Sequence, residues 1–551
     1  MIKRYLIILL ASLMMLACKK SKNNPPATNP ADENPPATSN RRELSQDSIF
    51  LYAKQVYYWN ENLPTYKAFN PRGYVAGSSD LAKYENELLG IAQFSTNKYD
   101  VYQLRGVYQN DTKFSYISDI TAQNPTGVIR DKSLSVDLEG NGNDVGLRIV
   151  PYLLNETTRA YSLFVTAVYD GSPAALAGMK RGMVINKING TSFGANFENE
   201  RTSLNSALNA SAMTVEGITF NTKVPFSHSL TKASYKSSPV YAQKVITAGS
   251  KKIGYFALAR FSKLSNTSGV ASDDVIDPIF SNFASSGVTD LIIDLRYNGG
   301  GYIQTAEHLM NLIIPPAHNS KVMYAEHYNK TMQDNLATLL KNQPLPDSDG
   351  KVQYFNNGQM VTYFNYQTNP YSVANNTSKF IKKGSLNGIQ SVIFLVTEDT
   401  ASSSELMINC LKPYVTVKVV GATTYGKPIG FYPIVIENRY KVYFSMFDTK
   451  NSLGQGGYYN GIVPDLGFDE AKDATGKIWD DVRFDFGDPA EGYLATALGI
   501  LAPGVTVTSF KPSSVMTLKD RTVKVQDIQK MLPVKGKEFV GMIDDKPRFK
   551  K

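Results

Sequence analysis

The chain is poor in cysteine and histidine, and it has no long apolar run. Two cysteines in 551 residues, Cys18 and Cys410, exclude a disulfide-stapled scaffold. Four histidines, His228, His308, His318 and His327, fall in no recognisable triad motif, and no H-E-x-x-H occurs. A zinc protease and an esterase-type nucleophile elbow are therefore not expected. The longest apolar stretch, Tyr5 to Met15, is too short for a comfortable membrane span. Charge excess is local. The formal net charge is +9, but residues 511–551 hold 11 Lys/Arg against 5 Asp/Glu. The body is close to neutral, which gives no footing for nucleic acid. No residue set calls for a metal or cofactor. Asp137-Leu-Glu-Gly-Asn-Gly-Asn-Asp144 lacks the terminal Glu and the spacing of a calcium loop. It reads as a turn entering a strand.

What is present begins with a targeting segment. Lys3 and Arg4 precede the apolar run, and Leu16-Ala17 precedes Cys18. This pattern reads as a signal peptide over 1–17. A cysteine after a small residue resembles a bacterial lipoprotein processing site, which implies lipidation at Cys18 and attachment to a membrane in the cell envelope. Residues 18–42 are rich in Pro, Asn, Ala and Ser and read as an extended tether. With Cys18 so used, Cys410 has no partner, and its apolar context predicts a buried thiol.

The fold class read from the pattern is multidomain α/β. Residues 43–132 show helical periodicity and form a small module without chemistry. Residues 133–240 turn to short strands. There, Asp170-Gly-Ser-Pro-Ala-Ala-Leu-Ala-Gly178 predicts a short helix after a Ser-Pro start, and Met183 to Ile188 a strand closing in an Asn-Gly turn. From 241 to 500 strands and helices alternate. Val288 to Leu295 and Ser391 to Val396 are apolar on both faces, as in a mostly parallel core sheet. Residues 315–390 are too long for a plain connection and predict a lobe over the sheet edge. A basic tail spans 501–551.

Two strand-to-helix turns carry the chemistry. One is Arg296-Tyr-Asn-Gly-Gly-Gly301; the other is Thr400-Ala-Ser-Ser-Ser-Glu405. In open α/β sheets ligands bind beyond the strand C-termini. Ser402 at a helix start lies near unpaired N–H groups, and the Ser403 N–H is a candidate oxyanion donor. Gly300 and Gly301 let a second backbone approach a substrate carbonyl. Lys427 returns in a glycine loop with uncharged neighbours, so burial would keep it neutral and basic. Ser402-x-x-Glu405 is also a capping box, which describes a helix start without any catalysis.

The segments Asp294 to Gly301, Thr400 to Glu405, Gly421 to Lys427 and Gly461-Ile-Val-Pro-Asp465 resemble, in order and spacing, those of the C-terminal processing (tail-specific) serine peptidases. The 170–188 stretch is similar to a PDZ domain, with Met183 in place of the common Asp. The resemblance implies Ser402 as nucleophile and Lys427 as general base, with Ser403 and Gly300 or Gly301 as oxyanion donors. It implies Val145, Gly146 and Leu147 as the carboxylate-binding loop of the PDZ, which would add a substrate's C-terminal peptide to a sheet edge. It implies a protein or peptide substrate and no cofactor. The family's Gln four residues after the lysine is replaced here by Phe431. The alternative reading is a peptide-binding lipoprotein that keeps the fold without turnover.

Overall fold

The computed structural model describes residues 30–104, 107–121, 136–155, 157–267, 270–271, 273–347, 350–467, 480–505, 530–531 and 541–543. Cys18, the leader and most of the basic tail lie outside the described residues.

The N-terminal module starts with the helix Arg41–Val56. Asn40 caps it, accepting the Arg42 N–H at 3.1 Å. Ser79 caps the helix Asp80–Ala92 in the same way. The module is not only helical. Strands Val101–Leu104, Val107–Thr112 and Tyr116–Asp119 follow, and the last pairs antiparallel with Tyr440–Tyr443 of the following half. The apolar faces of both helices bury Phe50, Val56 and Leu88 against Tyr328, Met332 and Tyr363 of the 315–390 excursion. That excursion is thus one side of a core shared with the N-terminal helices, not a lobe over a sheet edge. The second half of the expected tether also differs. Asp32 pairs with Lys67 at 3.2 Å, and the Arg72 guanidinium donates to Pro36 O. Residues 32–36 therefore dock on the module and do not extend from it.

Residues 147–231 build a sheet whose successive neighbours are Pro225–Thr231, Ala212–Thr219, Met183–Ile188, Tyr161–Val168 and Leu147–Leu153, with Lys530–Met531 beyond the last. All these pairings are antiparallel. Ser172 caps the short helix Pro173–Leu176, accepting the Ala175 N–H. Proline at the first helical position lacks an N–H that would have no partner there.

The central sheet runs Val240–Ala248, Lys251–Leu258, Asp290–Asp294, Ser391–Val396, Thr416–Gly421, Leu466–Gly467. The first pairing is antiparallel and the other four are parallel. Asp290–Asp294 and Ser391–Val396 are covered on both faces, which is why their sequences are nearly continuous apolar runs. Leu291, Phe394 and Val396 pack with the helices Ile276–Ser285, Ile303–Ile313 and Ser403–Leu411. Ile292, Ile393 and Leu395 pack with Tyr493, Leu494 and Ala497 of the helix Gly492–Leu501.

A buried ionic cluster holds the end of the Asp290–Asp294 strand. Arg296 is fully buried and forks onto both oxygens of Asp294 at 2.9 and 2.8 Å and both oxygens of Glu491 at 3.0 Å. It also reaches Asp480 at 2.7 Å, which in turn accepts from Arg181 at 2.6 Å. Burial pushes the Asp480 carboxyl up, but Arg181 and Arg296 overcome this and hold it well below the usual range. Its stabilising share is therefore present above the ordinary carboxylate pKa and is lost as pH falls. Arg296→Met would leave Asp294 and Glu491 without their buried cation and Asp480 with Arg181 alone. Unfolding in urea should then lose about 3–5 kcal/mol; an unchanged midpoint would mean that water reaches the cluster.

Candidate active site

Parallel pairing brings the two turns together. Asp294 is paired with Leu395, so the chains leaving both strands run side by side. Leu295 N–H donates to Leu395 O at 2.9 Å, Thr400 Oγ1 donates to Leu295 O at 2.8 Å, and Ala401 N–H donates to Asn298 O at 3.2 Å. Ser403 Oγ donates to Gly301 O at 2.8 Å and Ser404 Oγ to Asn298 O at 3.1 Å. The serine-rich run thus serves two ends. Its outer hydroxyls stitch the turns, and Ser402 is left over.

Ser402 sits at φ 61°, ψ −113° and is fully buried. A non-glycine residue there is strained by roughly 1–3 kcal/mol. The conformation also decides the fate of its side chain. A residue that caps with its own oxygen has extended backbone; Ser402 does not, and its Oγ has no hydrogen-bond partner within the protein. Ser402 and Glu405 stand as the expected capping box at the helix start, with Glu405 accepting the Ser402 N–H at 2.8 Å.

Glu405 does far more than cap. It is fully buried, and its carboxylate accepts the N–H groups of Gly426 at 2.7 Å and Lys427 at 2.8 Å, together with the Thr424 hydroxyl. Burial raises its carboxyl above the ordinary value while these donors pull it back. One carboxylate therefore joins the Ser402 turn to the Lys427 loop. Gly426 has φ +86°, and a Cβ there would lie 2.3 Å from Gly461 N. Only glycine lets Gly461–Asp465 pass so close.

The Lys427 side chain is 3% exposed, and burial pushes its ammonium pKa down to about 8. Asp100 and Glu405 oppose that shift, and Lys113 adds to it. Nζ lies 4.6 Å from the Phe431 ring centroid. Where the resembling family has an amide, this chain offers an aromatic face, held edge-on by Tyr116 and Tyr443. Asp100 and Lys113 come from the N-terminal module, which was expected to carry no chemistry. Asp100 accepts the Phe114 and Ser115 N–H groups at 2.9 and 3.0 Å. Lys113 Nζ donates to Tyr459 O at 2.6 Å and stands over the Tyr425 ring. No spacing rule links positions 100 and 113 to 427, so only the pairing of Tyr116–Asp119 with Tyr440–Tyr443 reveals them.

Gly300 and Gly301 differ in availability. The Gly300 N–H donates to Asn298 Oδ1 at 2.9 Å. Gly301 has φ +134°, and a Cβ would meet Phe261 O at 2.3 Å. Phe261 N–H bonds to Gly300 O at 3.0 Å, and Tyr302 N–H bonds to Phe261 O at 2.9 Å. In such a parallel bridge the middle residue turns its own N–H to the opposite edge. The Ser403 N–H belongs to the first helical turn, which lacks intrahelical acceptors.

The other expected residues lie apart from this corner. Val145, Gly146 and Leu147 open the strand Leu147–Leu153. The Gly146 N–H is taken by Asp144 at 2.7 Å, and Val145 O accepts from Ala174 N–H. The adjoining Arg148 reaches the turns, pairing with Asp399 at 2.7 Å and lying 4.0 Å from the Tyr297 ring centroid. His308 bridges Asp277 and Lys383, a helix-packing role. Cys410 is buried, and burial holds its thiol well above the ordinary value. A G-x-S-x-G string does occur, at 190–194, but Ser192 is exposed on the two-residue strand Thr191–Ser192 of a hairpin, so it is no elbow. Among the described residues no cluster of three His, Cys, Asp or Glu could hold a metal ion.

Residues 252–468, which contain both turns and the lysine loop, match the model of peptidase family S41. A Staphylococcus aureus (strain N315) protein described as a CtpA-like serine protease is 23% identical over 376 residues, covering 67% of this chain and 63% of that protein. A carboxyl-terminal-processing protease of Synechocystis is 23% identical over 295 residues, covering 54% of this chain and 55% of that one. The chain thus spans less than two thirds of either relative. Among solved structures, an S41 protease from Bacteroides fragilis NCTC 9343 matches with TM-score 0.53 and 20% identity, over 85% of this chain and 98% of that one. The mixed α/β fold with several sheets is that of S41 protease structures.

Glu405→Gln keeps the size but leaves a single acceptor oxygen for four donors. Stability should fall by about 2–4 kcal/mol, read as the urea midpoint. A variant as stable as the parent would show that the two turns are held by other contacts.

Proposed function

We propose that this chain is an S41-type serine endopeptidase acting on proteins or peptides through a Ser402–Lys427 dyad. The observation that carries the reading is that one carboxylate, Glu405, accepts the backbone N–H groups of both Ser402, a buried serine with an unsatisfied hydroxyl, and Lys427, a buried lysine shifted toward neutrality. Neutral Lys427 takes the proton from Ser402 Oγ as the oxygen attacks the scissile carbonyl. The N–H groups of Ser403 and Gly301 face the oxyanion; Gly300 is the weaker candidate because Asn298 holds its N–H. The Lys427 ammonium then protonates the leaving amine. Water, deprotonated by the same lysine, releases the acid from the acyl-enzyme. In the substrate-free geometry Ser402 Oγ bonds to nothing, and a bound peptide brings the hydroxyl to the amine.

Residues 133–240 serve in this reading as a PDZ-like peptide module with Val145, Gly146 and Leu147 at its mouth. Its Arg148 contact with Asp399 places it beside the Ser402 turn. Residues 1–17 are the lipoprotein signal peptide and Cys18 the lipidated residue, which tethers the enzyme to a membrane of the cell envelope. A non-catalytic peptide binder is the second reading, and the observation favouring it is Phe431 at the position of the orienting amide.

Ser402→Ala should abolish hydrolysis of an unfolded test protein, and Lys427→Met should lower kcat/KM by about 10²–10⁴-fold. Full activity in either variant would sink the dyad. The base acts unprotonated, so kcat/KM should rise with pH through an apparent pKa of about 8. A rise delayed to the range of free lysine, roughly 10.4, would remove the buried-base argument.

A further inference from the structure

Two short strands near the C-terminus have no part in the chemistry above. Lys530–Met531 pairs antiparallel with Leu153 and Tyr152, on the outer edge of the strand that begins at the Val145–Leu147 mouth. Gly541–Ile543 pairs parallel with the glycine turn, in the register Gly300 with Gly541, Gly301 with Met542 and Tyr302 with Ile543. It also lies beside Ile429–Gly430, just past Lys427.

These are the edges that a peptide would use. A strand edge exposes a row of N–H and C=O groups that an extended peptide can pair with. Phe261 already occupies one side of the Gly300–Tyr302 strand. The remaining side is the one to which Gly301 turns its N–H, and that N–H is the second oxyanion donor. A backbone lying there stands where the scissile peptide must lie. Arg148, near the other end of the strand that Lys530–Met531 pairs with, contacts Asp399 and Tyr297.

We propose that the strand Gly541–Ile543 is an intramolecular competitor of the substrate that covers the Gly300–Tyr302 edge, with Lys530–Met531 of the same chain paired on the outer edge of the 147–231 sheet. The proposal rests on the peptidase reading. A tethered occupant has an effective concentration in the range of about 1 mM. A protein substrate must displace it, so the strap raises KM and leaves kcat alone.

The test uses the full-length chain with Ile543→Pro, which removes the N–H that this parallel register aims at Gly301 O, and Ile543→Val as the conservative control. With a fluorogenic peptide, Ile543→Pro should lower KM by about threefold or more at unchanged kcat, and Ile543→Val should behave as the parent. Hydrogen exchange at the Gly301 amide, measured in the Ser402→Ala background, should become faster in Ile543→Pro, while the Tyr302 amide, held by Phe261 O, stays as in the parent. Equal KM with equal exchange overturns the strap. So does a kcat change without a KM change. If neither parent nor variant cleaves peptides or labels at Ser402 with a fluorophosphonate, the peptidase reading falls, while exchange alone still decides whether the strand covers the edge.

Discussion

Four hydrogen bonds converge on the buried carboxylate of Glu405, and the arrangement of the whole site follows from that convergence. Its donors come from both sides, the Ser402 backbone on one and Thr424, Gly426 and Lys427 on the other. A buried charge of this kind is tolerated only when its lone pairs are filled. The two loops therefore have no freedom to separate without exposing it. The same constraint fixes Ser402 in a strained conformation, because its N–H must point at Glu405 while the helix begins at the next residue. The strain and the unsatisfied hydroxyl are two consequences of one anchor.

The second turn is held by different physics. Asp294, Arg296, Asp480 and Glu491 form a dry ionic cluster below the glycine turn, and Arg181 extends it into the sheet of residues 147–231. The glycine-turn side of the candidate site is thus anchored by charge pairing that spans three parts of the chain. The Lys427 side is shaped by desolvation, with the amine closed in by Phe431 and by a module that contributes Asp100 and Lys113. An aromatic ring in place of an orienting amide is consistent with that scheme. Phe431 excludes water from the amine and gives its charged form only weak compensation.

Much of the site was legible beforehand because its motifs are local. Ser402, Lys427 and the glycine run each lie in a short string whose residue types have few alternative explanations at that spacing. The strands Met183–Ile188 and Ser391–Val396 were readable to the residue, since apolar runs bounded by turns leave little choice. Glu405 was visible only as a helix cap, because its other donors arrive from about twenty residues downstream. The strands Val101–Leu104 to Tyr116–Asp119 were read as helical character, since short strands with mixed burial carry no clear period.

By itself the sequence determined which residues could do chemistry and in which order the turns follow their strands, because strand patterning and turn composition are properties of consecutive residues. The tertiary structure alone decided which serine of Ser402, Ser403 and Ser404 is left unbonded, which glycine of the run keeps an outward N–H, and that Lys113 and Asp100 reach Lys427. Those outcomes depend on strand register and on the desolvation of groups from distant segments, and neither quantity is written in any local stretch of the chain.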